Sequence, residues 1–447
     1  MHRQQHLRYL ASIIMLWGTL TTAARSEARE LTDALIKGYV GLAPDFAGNT
    51  FCPCAFAQNL ASALGTATSQ TISLNVPIAS VAPAFSYRFN PDLSVFERSA
   101  DILGPMFAER ALTIGKGKFN FNIGYAYVEF DDINGESLNR LRTGPGVFVT
   151  NQGDAAQLQT RLDLQTHVIA PTFRYGITDR LDVSLILPIL QTSLHIRNTT
   201  VAVANQVTPN LGDLSNFTNL TNNVGNLRFV RTDPRVVGQP VKSSESATGI
   251  GDIVLRAKYN FWRHEDSAAA GELDVVLPSG KKHDLQGTGE THIVPRLIAS
   301  QVMYNRVEPH ISLGLDLNGN DVDRSSVIYG VGATLQIWRL LIMTVDVLGR
   351  SDFSKFKANN RVLSADGLLL DKPTAQCTAA QPCSGQSSKV AIFPEKFTQR
   401  NDVVNFAFGF RYGVGEAGSV YFGGVVPLND DGFRSDFIPT GGVEYTF

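Results

Sequence analysis

From Gly251 to Phe261 the chain alternates without a break. Gly251, Ile253, Leu255, Ala257, Tyr259 and Phe261 share one face of an extended strand, and Asp252, Val254, Arg256, Lys258 and Asn260 share the other. Period two marks a strand with one greasy and one wet face. The polar turn Arg263–Ser267 reverses the chain, and Leu273, Val275 and Leu277 then oppose Glu272 and Asp274. This hairpin, Gly249–Leu277, is the unit that the rest of the chain repeats.

The same alternation predicts strands over Val81–Phe89, Phe107–Ile114, Phe119–Phe130, Gln165–Gly176 and Leu181–Ile196. Beyond the hairpin come His292–Met303, Pro309–Leu317, Val327–Ile337, Leu341–Arg350, Val403–Tyr412, Ser419–Pro427 and Phe437–Phe447. That makes about fourteen strands, or twelve without Val81–Phe89 and the irregular His292 run. Connections of a few residues follow Ile114, Gly176, Trp262, Met303, Ile337 and Tyr412, and long loops fall between them. Alternating short turns and long loops is the habit of outer-membrane barrels, with the short turns periplasmic. Alternation alone also fits a soluble sandwich. Strands of about 9–11 residues suit a tilted bilayer crossing. Aromatics gather near strand ends (Tyr125, Tyr127, Phe130; Tyr259, Phe261, Trp262; Tyr421, Phe422), where interfacial girdles belong. The predicted fold is therefore all-β, a transmembrane antiparallel β-barrel of about fourteen strands with a partly helical N-terminal segment.

The first residues change the setting. Arg3 and Arg8 precede the apolar run Tyr9–Leu20, and small residues follow, with cleavage sites after Ala24 or Ala28. Residues 1–28 read as a secretory signal, and the run is short for a bilayer span of about 20 residues. In residues 29–80, Leu31, Leu35, Tyr39 and Leu42, and then Phe56, Leu60 and Leu64, recur at helical spacing. This segment is either a loose periplasmic tail or a plug inserted in the barrel, and the sequence weighs the two evenly. Residues 81–447 form the barrel with its long extracellular loops, in the outer membrane.

Composition agrees. Of 447 residues, 43% are hydrophobic and 18% charged, against about 25% charged in an ordinary soluble domain. Net charge is −2, and −4 once Arg3, Arg8, Arg25 and Glu27 leave with the signal. No basic run points to nucleic acid. Outer-membrane lipid, the barrel-assembly machinery and a small-molecule solute are the expected partners. Trimeric and single barrels share these patterns, so the oligomeric state is left open.

With apolar faces in lipid, the wet faces line a lumen. They carry Arg174, Asp182, Asp252, Arg256, Lys258, Glu272, Asp274, His310, Asp316, Asp346, Arg411 and Glu444. A cation on the lipid side would cost about 2–4 kcal/mol at midplane. These groups either filter solutes or pair across the barrel and hold its shape.

Other chemistry is sparse. Gly249-Ile-Gly251 opens a strand, not a nucleotide-binding helix, and Leu277-Pro-Ser-Gly-Lys-Lys282 resembles a phosphate loop only superficially. No serine is marked as a nucleophile by a strained turn. Cys52 and Cys54 lack the His or Cys partners of a metal site. Cys377 and Cys383 are a candidate loop disulfide in an oxidising compartment. No enzyme, metal or cofactor is expected.

Three segments, Gly104–Lys118, Thr248–Tyr259 and Leu277-Pro-Ser-Gly280, resemble the outer-membrane family labelled for the meta pathway of phenol degradation. The resemblance spans roughly residues 85–447. It implies a barrel transporter for aromatic or other hydrophobic compounds. The last strand, ending on Tyr445 and Phe447, resembles the C-terminal signal of outer-membrane barrels read by the assembly machinery. The expected function is a channel for passive passage of small, aromatic or hydrophobic solutes. The alternative is a non-transporting structural or surface-interaction barrel that recognises partners through the loops Arg197–Ala247 and Ser351–Asp402.

Overall fold

The computed structural model describes Leu31, Ala34 and residues 82–90, 95–98, 102–133, 135–149, 155–204, 235–264, 266–354, 362–363, 369–370 and 402–447. Strands with one apolar face and unpaired edges must find partners on both sides, and here they do so by closing on themselves. The result is a closed antiparallel barrel of 12 strands. They are β1 (Phe119–Phe130), β2 (Ala155–Thr178), β3 (Leu181–Ile186 continued by Ile189–Ala204) and β4 (Arg235–Ile250 continued by Ile253–His264). There follow β5 (Ser267–Leu277), β6 (His292–Gln301), β7 (Val307–Asn318), β8 (Ser326–Trp338) and β9 (Leu341–Asp352). The circle ends with β10 (Asp402–Val414), β11 (Gly418–Pro427) and β12 (Ile438–Thr446). β12 pairs with β1 from Thr440↔Ala126 to Thr446↔Asn120, and the Phe447 N–H donates to the Phe119 carbonyl at 2.7 Å.

The count settles at the lower of the two anticipated values, although His292–Gln301 is a strand. Val81–Phe89 and Phe107–Ile114 do not join the wall. Tyr87–Asn90 forms a small hairpin with Val95–Arg98. Residues 102–114 are all buried without strand structure. The reason is in the side chains. Read as a strand, Phe107–Ile114 places Glu109 on one face and Arg110 on the other, so neither face suits lipid.

β2 is 24 residues long, more than twice what a crossing needs. Its lower part pairs with Leu181–Ile186 and its upper part with Ile189–Ala204. The outward side chains record where the bilayer stops. Ile169, Ile189 and Ile250 lie in one register row across β2, β3 and β4. The next outward row is His167, Gln191 and Thr248, and beyond it come Asp163, His195 and Ser244, then Arg161, Arg197 and Lys242. The sheet therefore rises past the membrane on the long-loop side as a wall with a polar outer face.

Below that line the outer surface is greasy. Leu313 is 56% exposed and Leu297 63%, as a lipid-facing band requires. Tyr259, Phe261, Trp262, Tyr412 and Tyr445 are exposed on this surface. Tyr421 departs from the anticipated girdle: it points inward, buried, and its hydroxyl donates to Asn122 Oδ1 at 2.9 Å.

An arginine at Leu313 is expected to destabilise the barrel by about 2–4 kcal/mol in denaturant unfolding from lipid vesicles. An arginine at Ser193, on the same face but above the boundary, should change it by no more than about 0.5 kcal/mol. Equal costs at the two positions would misplace the membrane.

Candidate functional site

Pairing register decides which side chains meet inside the barrel. Asp182, Lys258, Glu272 and Arg296 lie directly opposite one another across β3, β4, β5 and β6. Their charges alternate, so each has an opposite neighbour across the ladder. One row further from the short turns come Arg174, Ser184, Arg256 and Asp274. Arg256 grips Asp274 with two parallel bonds, 2.7 Å and 2.8 Å. Arg296 donates to Glu272 at 2.6 Å, and Arg256 Nε lies 3.5 Å from the same carboxylate.

Into these rows reaches a carboxylate from outside the wall. Residues 102–115 run through the lumen, and Glu109 stands among three cations. Its Oε1 accepts from Arg256 Nη1 at 2.6 Å and from Arg174 Nη2 at 3.3 Å, and its Oε2 accepts from Lys258 Nζ at 3.0 Å. All four side chains are at most 3% exposed. Burial alone would raise the Glu109 pKa; Lys258, Arg174 and Arg256 together outweigh it and hold the carboxyl below the ordinary glutamate range.

The rest of the luminal segment is tied down as thoroughly. Arg110 lies 3.0 Å from Glu308, with both side chains fully buried. Asp182 accepts the Ile114 N–H at 2.9 Å. Arg411 donates to the carbonyls of Ala82 and Gly104 at 2.9 Å and 2.8 Å. Glu444 accepts the Ala84 N–H at 2.8 Å and Asn120 Nδ2 at 2.7 Å. Asn260 donates to the Ala111 carbonyl at 2.8 Å. Two glycines in the wall make room: a Cβ on Gly409 would come within 2.6 Å of Met106, and one on Gly423 within 2.9 Å of the Phe107 ring.

The remaining anticipated residues sit on the same inner face. His310 Nε2 is 2.6 Å from Asp346, and its Nδ1 is 3.1 Å from the Glu308 carbonyl. Asp316 lies 2.7 Å from both His292 Nδ1 and Arg350 Nη1. Asp252 accepts from Gly280 N–H, Thr288 N–H and Thr288 Oγ1 at 3.0, 2.7 and 2.8 Å. It thereby pulls the loop after β5 inward, burying Leu285 and Gln286. Leu31 and Ala34 are fully buried, and the Leu31 N–H donates to Asp284 of that loop at 3.2 Å. The other residues of 29–80, and Cys377 and Cys383, lie outside the described residues. Tyr445 and Phe447 are exposed on the outer surface, with their rings edge to face at 4.7 Å.

Sequence reasoning missed Glu109, Arg110 and Glu308, which do most of the holding. The available signal was Glu109-Arg110 itself, two opposite charges at adjacent positions in an otherwise greasy run. It also missed that the inner face is layered. Next to the charged rows, away from the short turns, lies an apolar belt of Ala170, Ile186, Val254 and Val276; Val294, which stands opposite Asp274, and Ile328 pack against it.

Residues 139–337 match the family described as "Putative MetA-pathway of phenol degradation". This is the family the residue patterns resemble; of the three segments that carry the resemblance, Gly104–Lys118 falls outside the matched region. No curated protein matches the chain. Among solved structures, an outer membrane channel from Pseudomonas putida F1 is similar at 9% identity, covering 75% of this chain and 98% of that one, with a TM-score of 0.41. A toluene transporter from Ralstonia pickettii is similar at 10% identity over 74% of this chain and 89% of that one, with a TM-score of 0.30.

Arg110→Met alone should cost about 3–5 kcal/mol, because it strands the Glu308 carboxylate in the interior. Arg110→Met combined with Glu308→Leu should recover most of that loss. Urea unfolding of the two variants measures both, and a double variant as unstable as the single one would contradict the pairing.

Proposed function

We propose that the protein is a plugged outer-membrane channel, not an enzyme, that passes small hydrophobic solutes, aromatic ones among them. The observation that carries this reading is the apolar belt inside a closed barrel. A barrel built only to be stable has no need to gather Ala170, Ile186, Val254 and Val276 into one apolar patch beside the charged rows. A patch of aliphatic side chains next to placed polar groups is the common make-up of a small-molecule site. The luminal segment would shift to open the path, since residues 102–114 are buried throughout and fill the lower lumen. That residues 29–80 belong to the plug is supported by the buried Leu31 and its bond to Asp284. Of the twelve wall residues named from the sequence, Arg174, Asp182, Arg256, Lys258, Arg411 and Glu444 would act first as seats for the plug and then, with the others, as the polar lining of the path. Tyr445 and Phe447, exposed at the closing seam, would serve the assembly machinery during insertion.

The second reading, a barrel that transports nothing, draws on the number of bonds that hold the segment in place. Uptake separates the two. Gram-negative cells carrying the protein should accumulate radiolabelled small aromatic compounds faster than cells without it. Val254→Trp, which fills the belt, should bring uptake down to the level of cells lacking the protein. Leu255→Trp, one residue away on the lipid face, should leave it unchanged. Equal uptake with and without the protein would favour the static barrel.

A further inference from the structure

The seat of Glu109 is more than the wall needs for its own stability. Arg256 already has Asp274 as a two-bond partner, and Lys258 already faces Asp182 and Glu272 across the ladder. Yet these two, with Arg174, also converge on both oxygens of one further carboxylate, which the wall does not supply. We propose that the Arg174–Arg256–Lys258 seat is a binding site for the carboxylate of a small aromatic acid, and that Glu109 occupies it as an internal stand-in for that ligand.

The geometry of the seat matches a single carboxyl group: its three cations take up both oxygens of one carboxylate. The contacts are those that favour carboxylates: charge-assisted N–H donors from two guanidiniums and an ammonium.

Position supports an aromatic body on that acid. Val254 and Ile186 stand two residues from Arg256 and Ser184 on the same faces of their strands, about 7 Å further along. A ring attached to a carboxylate held in the seat would therefore lie in the apolar belt. The same two features give the plug a means of release: a solute carrying both groups replaces the Glu109 carboxylate and adds ring contacts that Glu109 lacks. The inference rests on the channel reading but names a ligand class for it.

The test is calorimetric titration of the full-length barrel in detergent with benzoate, benzyl alcohol and acetate. Glu109→Gln keeps the shape of the side chain and empties the seat of charge. It should bind benzoate about tenfold or more tighter than the wild type, bind acetate more weakly than benzoate, and leave benzyl alcohol unchanged. A folded Glu109→Gln barrel, judged by heat-modifiable gel mobility, that binds benzoate no better than the wild type would overturn the proposal. So would an equal gain for benzyl alcohol. Should Glu109→Gln fail to fold, hydrogen exchange of the wild type gives the answer: amides of residues 108–112 should exchange faster in saturating benzoate and not in benzyl alcohol. Unchanged exchange in benzoate would overturn the displacement. Cellular uptake of neutral aromatics is read separately. Uptake without benzoate binding leaves the channel reading standing alone, and binding without uptake leaves the site standing without the channel.

Discussion

One buried carboxylate, supplied by a segment that is not part of the wall, organises the inside of this barrel. Glu109 meets Lys258, Arg256 and Arg174 at 3.0, 2.6 and 3.3 Å. Those cations stand where they do because ladder register places Lys258 opposite Asp182 and Glu272, and Arg256 opposite Ser184 and Asp274. Inside a barrel, charges are costly unless paired, and pairing is efficient when the partners sit on neighbouring strands at the same height. The register therefore does double duty: it closes the sheet, and it assembles the ionic rows on which the luminal segment rests.

From that contact the rest of the lumen can be followed outward. Arg110, next in sequence to Glu109, reaches Glu308 on β7, so the segment is pinned to the wall at two separate places. Main-chain groups on either side of this pair are held by Asp182, Asn260, Arg411 and Glu444. Gly409 and Gly423 leave hollows that Met106 and Phe107 enter. Beyond the charges the wall turns aliphatic, and beyond that Asp252 and its partners draw in the loop after β5. A solute crossing the protein would meet a polar mouth, an apolar belt and a charged floor in turn, and the floor is the part the segment covers.

Much of this was legible in the sequence, and the limit is physical. Period two fixes the side of the sheet a residue takes, so Arg256 and Leu255 part company at once. It says nothing of what an inward residue meets, because that depends on strands far away in the chain: Arg110 and Glu308 are joined only by closure of the barrel. The runs at Val81–Phe89 and Phe107–Ile114 misled because a buried extended segment and a lipid-facing strand use the same apolar residues. Glu109-Arg110 distinguished them, since a membrane strand cannot place a charge on each face. Tyr421 was assigned by its type, as an interfacial aromatic, when its place in the alternation put it inside beside Arg411 and Asn122. The family resemblance implied a transporter for aromatic or hydrophobic compounds and said nothing about how the lumen is closed.

The central claim is that the luminal segment must leave its seat for a solute to pass. A tether tests it most directly. Cysteines replacing Ala111 and Ser300, whose N–H and Oγ lie 3.4 Å apart, can be joined by a short reducible bis-thiol crosslinker to lock the segment against the wall. With the bridge formed, uptake of aromatic solutes should fall to the level of cells lacking the protein, and reduction should restore it. A bridged barrel that passes solutes as fast as the reduced one would show that the path runs elsewhere.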